Sequence, residues 1–190
     1  MIFCFFLLIS GGIFAQNVVN QVDSQGRKQG FWTKKDSDGK VIYQATFKDN
    51  KPVGEMKRFH PNGKVMAVML FKEGNDTAAA QLFDERGLLI GKGKYVDQKK
   101  TGEWTYFLNS KVVSTENYVD GQKTGLSKRY YTTGELLEES NWKNGHLDGL
   151  YRIYFQDGKT YMECNYSEGQ RNGPFKTWLA NGTPELEANY

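Results

Sequence analysis

Apolar and polar positions along this chain alternate in short runs broken by turn residues. The stretch "GLYRIYFQDGKTYMECNY" (Gly149–Tyr166) shows the rhythm. A run rich in Tyr, Ile and Phe meets Asp157-Gly158, and a second run returns to Tyr166. Period-two alternation bounded by such pairs predicts two strands and a turn. Asp38-Gly39, Asn62-Gly63 and Asn181-Gly182 mark the same place elsewhere. Each pair supplies the positive φ of a two-residue primed turn. The link from a closing aromatic to the next glycine, as in "YSEGQRNG", is predicted to be a second, wider turn. No segment carries sustained helical periodicity, so almost no helix is expected.

The hairpins repeat. Gly30, Gly54, Gly102, Gly125, Gly149 and Gly173 are spaced by 24, 48, 23, 24 and 24 residues, and Ala78 fills the doubled gap. Phe47, Phe71, Tyr95, Tyr118, Trp142, Tyr166 and Tyr190 form a second column. Gly39, Gly63, Gly87, Gly134, Gly158 and Gly182 form a third, whose missing member falls at Asn109-Ser110 in the short unit. Three columns in register predict an all-β chain: an elongated antiparallel meander of stacked β-hairpin repeats of about 24 residues. Residues 30–190 make seven units, and residues 16–29 are read as a capping segment for one edge.

Stacking explains the repetition. A lone hairpin is marginal in water, whereas stacked copies share ladders and cover one another's rings. The second-strand aromatics are expected to form a continuous ribbon, each ring burying roughly 150–250 Å². Asn117, Asn141, Asn165 and Asn189, with Glu139, Glu163 and Glu187, predict a polar opposite face. The third unit, around Ala78-Ala79-Ala80, lacks both the glycine and the first-strand aromatic, so a bulge or a change of curvature is expected there.

The quoted phrases "GEWTYFLNSKVVSTENYVDGQKTG", "GLYRIYFQDGKTYMECNYSEGQRNG" and "GPFKTWLANGTPELEANY" resemble the MORN-repeat variant of bacterial proteins, including the YwqK-type antitoxin family. They share Gly-x-aromatic, a central turn before Lys or Glu, a terminal Tyr and Gly-x-x-x-Gly. The resemblance covers about residues 30–190. It implies a stack of β-hairpins acting as an interaction, scaffolding or membrane-associating module.

Composition and the first residues narrow the setting. "MIFCFFLLISGGIFAQ" is uncharged and apolar, as long as a signal-peptide core and short for a membrane span. Residues 1–15 are therefore read as a secretory signal, and the protein as exported to the periplasm, cell envelope or exterior of a bacterium. Removing them leaves Cys164 as the only cysteine, so no intramolecular disulfide or Cys-rich zinc site is expected. Net charge is only +3, with lysines alternating with acids, which gives no case for nucleic acid.

Candidate chemistry is sparse. His60 and His146 are read as solvated turn residues about three and a half units apart. "GLLIGKGK" lacks phosphate-loop spacing, and "DSDGK" lacks the glutamate of a calcium loop. Glu138 and Glu139 should point to opposite faces of a strand. No enzyme activity, cofactor or metal is expected. A column running Lys34, Arg58 and Arg129 suggests a basic stripe for phospholipid, interrupted by Leu82, Tyr106, Ile153 and Thr177. The expected function is non-catalytic protein binding, with a toxin as one candidate partner and Trp32, Trp104, Tyr151 and Phe175 as the interaction surface. A scaffold that self-associates through an open sheet edge is the alternative.

Overall fold

The computed structural model describes residues 19–72 and 76–190. The leader expected at residues 1–15, the first part of the capping segment and the Glu73–Asn75 part of the irregular third unit lie outside the described residues. The described chain is all strand: β1 Gln21–Val22, β2 Lys28–Lys35, β3 Val41–Lys48, β4 Lys51–Phe59, β5 Val65–Phe71, β6 Thr77–Phe83, β7 Leu89–Val96 and β8 Lys99–Leu108. There follow β9 Lys111–Val119, β10 Gln122–Lys123, β11 Gly125–Tyr130, β12 Leu136–Lys143, β13 His146–Tyr154, β14 Thr160–Ser167, β15 Gln170–Trp178 and β16 Pro184–Asn189. They form one antiparallel sheet in which each strand pairs with the next in sequence, β10 being a short addition on β9. This is the expected meander.

The two kinds of turn are exchanged relative to expectation. The link from closing aromatic to next glycine is the tight one. Lys48 pairs with Lys51 and Ser167 with Gln170, leaving two residues between. Both have positive φ, as in Asp49-Asn50 (51° and 67°) and Glu168-Gly169 (50° and 84°). That is the two-residue primed turn. The Asp-Gly and Asn-Gly sites are wider. At Phe155–Lys159 the Phe155 N–H donates to the Lys159 carbonyl and the Gly158 N–H to the Phe155 carbonyl. Only Gly158 has positive φ there, so a three-residue loop with a terminal glycine replaces the primed turn. In the short unit, Asn109 and Ser110 have φ of 49° and 65°, and Leu108 pairs with Lys111. The deleted residue has turned a three-residue loop into a primed turn. Ser110→Gly relieves the left-handed strain of a side-chain-bearing residue, so we expect it to raise stability by about 1 kcal/mol in urea unfolding.

The repeat glycines mark bulges. Thr46 pairs with Val53 and Ala45 with Met56, so β4 carries Gly54 and Glu55 as extra residues. Gly54 has φ +67°, a conformation costly for any residue with a Cβ. Asn117 and Asn141 donate to the carbonyls of Leu126 and Leu150, one residue beyond the bulge glycines Gly125 and Gly149. In the third unit, Ala78 pairs directly with Phe71 in an unbroken ladder. No bulge interrupts the described ladder between β5 and β6.

Side chains sort by face. The ring face carries the buried set: Ala45, Phe47, Ala67, Ala78, Ala80, Trp104, Cys164 and Phe175. The polar face carries cross-strand ion pairs, including Arg152–Glu163 at 2.6 Å and Lys176–Glu187 at 3.0 Å. Glu138 and Glu139 do point apart: the first pairs with Arg129 and the second with Lys128.

Candidate functional site

One column decides where the ring face is full and where it is open. Trp32 pairs with Ala45, Met56 with Met69, Ala80 with Gly93 and Trp104 with Glu116. Ser127 pairs with Ser140, Tyr151 with Cys164 and Phe175 with Ala188. These first-strand residues were expected to form an interaction surface at Trp32, Trp104, Tyr151 and Phe175. The structure buries Trp104, which is 0% exposed, and Phe175, and leaves Trp32 and Tyr151 partly in solvent. A ring in this column lies over the small residue opposite or beside it, and that contact takes it out of solvent.

Trp104 shows how. It lies flat on Gly93, where an added Cβ would stand 2.4 Å from its ring atoms. Its Nε1 donates to the Lys94 carbonyl at 3.1 Å, and Tyr95 meets it edge-on with centroids 5.0 Å apart. Ring contacts elsewhere also join the two columns: Trp32–Phe47, Tyr151–Tyr166 and Phe175–Tyr190. The expected unbroken ribbon of second-strand rings does not form. Successive members, such as Phe47 and Phe71, stand two strands apart, roughly 9.5 Å, too far for ring contact.

Cations fill the gaps between rings. Lys28 lies 4.7 Å from the Trp32 centroid, Lys100 4.8 Å from Trp104, and Arg171 4.9 Å from Phe175. Lys123 stands 4.1 Å from Trp142. Each charged head lies over a ring, attracted by the negative π face. Their sequence signal was legible but missed: "KQGFW", "KTGEW" and "RNGPF" place a cation four residues before a ring, across the bulge glycine.

The centre of this face is a closed polar network. Lys100 donates to the Tyr106 hydroxyl at 2.6 Å, Tyr118 donates to Glu116, and Lys123 pairs with Glu116 at 2.8 Å. Burial pushes the Glu116 carboxyl up, but hydrogen bonds from Lys123 and Tyr118 outweigh it and leave it below the usual carboxylate range. Burial, then the bond to Glu116, pushes the Tyr118 hydroxyl above the usual tyrosine range. Neither group exchanges a proton near neutral pH. Ser127, 2% exposed, occupies the ring column with its hydroxyl unpartnered. Ser127→Ala removes that desolvated group, so we expect it to raise stability by about 1 kcal/mol, read as an increased urea midpoint.

Of the two histidines, His60 is better anchored than expected, whereas His146 is exposed as expected. His60 is half-buried at the end of β4, and its Nε2 donates to the Phe83 carbonyl at 2.9 Å. His146 opens β13 and packs beside Gly169. Among the described residues no three His, Cys, Asp or Glu side chains gather as metal ligands.

Units two and three are different. Met56 and Ala80 replace the column ring, and Pro52 and Asp76 occupy the cation positions. The ring face opens there into a groove of about 850 Å³. Phe47, Phe71 and Tyr95 stand in a row across β3, β5 and β7, and Met56, Ala67, Met69 and Leu82 line the groove beyond them. Arg58 and His60 stand at one end; Asn50, Asp76, Asp97 and Gln98 stand at the other. This volume falls in the range of ligand and peptide pockets. The irregular third unit was visible in the sequence, but a cavity made of missing rings was not.

The repeat phrase and its hairpin geometry decide the comparison. Three segments carry the MORN repeat variant. They are residues 52–73, 123–144 and 147–168, and the first of these MORN segments runs along the groove. No curated protein matches the chain. Among solved structures, one of TarM is similar with 13% identity and a TM-score of 0.30, covering 65% of this chain and 21% of that one. A mutant of S. aureus TarM in complex with Fondaparinux, alpha-GlcNAc-glycerol and UDP is similar with 12% identity and a TM-score of 0.29, covering 70% and 21%. The chain thus spans about a fifth of the length of those proteins.

Proposed function

We propose that this is a non-catalytic, exported repeat protein that binds another protein through the groove of units two and three. The observation that carries the reading is the groove itself. There two successive units lack both the column ring and its cation, and apolar surface is left open. Three of its lining residues are methionines, Met56, Met66 and Met69. Their flexible, polarisable side chains adapt to apolar partners. MORN repeats commonly serve protein or membrane interactions, and the charge pattern favours protein. Arg129 of the basic column is paired with Glu138, and Lys28, Lys100 and Arg171 lie over rings. These cations are not arrayed for an anionic lipid surface. In its sharper form the partner is an envelope toxin and this chain its antitoxin or immunity protein.

The test compares the native chain with Leu82→Arg as bait in the envelope fraction of the source cells. Arg58 in unit two and Arg129 in unit five occupy the equivalent position, so the sheet accepts the side chain while the groove gains a charge. The expected result is one stoichiometric protein retained by the native chain and lost with Leu82→Arg. Equal retention by both, or salt-sensitive binding only to anionic phospholipid vesicles, would overturn the reading.

A further inference from the structure

The filled units describe what the open ones lack. In units one, four and seven a cation precedes the column ring by four residues: Lys28 and Trp32, Lys100 and Trp104, Arg171 and Phe175. In unit three the same two positions hold Asp76 and Ala80. The ring is replaced by Ala80, which is itself buried beside the groove, and the charge is reversed at Asp76, which lines it. Asp97 reinforces the reversal. It stands in the adjoining primed turn, and its N–H donates to the Asp76 carbonyl at 3.3 Å. Both aspartates lie at the same end of the groove. Asp76 also takes Lys51 at 3.1 Å, but those side chains are 44% and 60% exposed. An exposed pair of this kind contributes little and exchanges readily for another cation. At the far end, Arg58 has no ion-pair partner among the described residues.

We infer, resting on the binding role proposed above, that the groove takes a short peptide segment in which an aromatic side chain stands near a lysine or arginine. The aromatic lies on Met56, the unit-two position without a column ring, against the Phe71 and Tyr95 rings. The cation sits over Asp76 and Asp97, as Lys100 and Arg171 sit within their own units. A carboxylate toward the other end of the segment meets Arg58. Pro52 and Arg58 face Phe47 and Tyr43, so with the Gly54–Glu55 bulge taken out the groove follows four residues of strand, roughly 13 Å at about 3.3 Å per residue. That length suits an extended segment of about four residues. The partner therefore supplies in trans the side chains that the other units supply for themselves. Charge at the rim sets the orientation of the segment, and the ring supplies most of the affinity.

A library of random short peptides displayed on phage, selected on the immobilised full chain, tests this. Recovered peptides are then measured against the native chain, Leu82→Arg and Asp97→Asn. Asparagine keeps the left-handed turn conformation that Asp97 adopts at φ +48°. The expected peptides lose binding on Leu82→Arg, carry an aromatic residue near Lys or Arg, and bind Asp97→Asn about fivefold more weakly. That loss should shrink at high salt. Groove-dependent peptides with no basic residue, or with affinity unchanged by Asp97→Asn, overturn this inference and leave the binding role standing. Recovery of no peptide, or only of peptides indifferent to Leu82→Arg, overturns the binding role as well.

Discussion

Gly93→Ala is expected to lower the stability of the sheet by about 3 kcal/mol or more, although it adds a single methyl group. The backbone at Gly93 has no positive φ, so the residue is not needed for a turn. What forbids a Cβ is the indole of Trp104, whose ring atoms would lie 2.4–2.6 Å from it. That ring cannot slide aside cheaply. It is held by its bond to the Lys94 carbonyl, by Tyr95 on its edge and by the Lys100 ammonium. Overpacking costs ~1–3 kcal/mol, and expelling a buried tryptophan costs ~3–5 kcal/mol. The chain must accept one or the other. Urea unfolding followed by tryptophan fluorescence reads both: a lower midpoint, and emission shifted to the red as Trp104 is wetted. Trp104→Leu in the same chain should remove most of the Gly93→Ala penalty, a coupling that a double-mutant cycle measures. A Gly93→Ala chain with an unchanged midpoint would contradict this packing.

The second large effect is on binding. Met56→Trp is expected to weaken partner or peptide binding by about a hundredfold while leaving the unfolding midpoint level or higher. Trp32 and Trp104 occupy the same column, and the groove that Met56 lines has volume for an indole. In unit two the new ring would lie across Met69 and cover the groove floor from within. It would bury apolar surface that the native chain leaves wet, at roughly 25 cal/mol per Å². The same ring would occupy the volume a partner needs. Function and stability therefore pull in opposite directions at Met56, as expected where a chain keeps an unfilled site. Titration calorimetry with a selected peptide and urea unfolding together check it. Binding retained by a stable Met56→Trp chain would place the docking surface elsewhere.

The fold was legible because the pattern is locally consistent. Period-two alternation, the glycine columns and the closing aromatics all point to hairpins, and no competing helical period exists. The two turns were interchanged for a specific reason. Asn-Gly and Asp-Gly suit both a primed turn and the end of a three-residue loop, and only the strand register distinguishes them. The primed turns use pairs such as Asp49-Asn50 and Asp97-Gln98, in which asparagine, aspartate and even glutamine accept positive φ. The ribbon of rings was misjudged because sequence columns give order but not distance. Trp32, Trp104, Tyr151 and Phe175 were read as a surface because aromatic residues on an open sheet suggest contact. The small partners Ala45, Gly93 and Cys164, which let those rings lie down, carry no signal of their own. The groove is harder still. It is written in what Met56, Pro52 and Asp76 fail to supply, and that becomes visible only when the units are aligned in space.

The most direct test of the groove uses its methionines. Met56, Met66 and Met69 line it, whereas Met162 lies on β14, away from it. With the methionine methyl groups labelled, methyl resonances are followed as a peptide recovered on the native chain is added. The account predicts saturable shifts at Met56, Met66 and Met69, with Met162 unmoved. Saturable shifts confined to Met162, or binding that moves none of the three groove methyls, would contradict it.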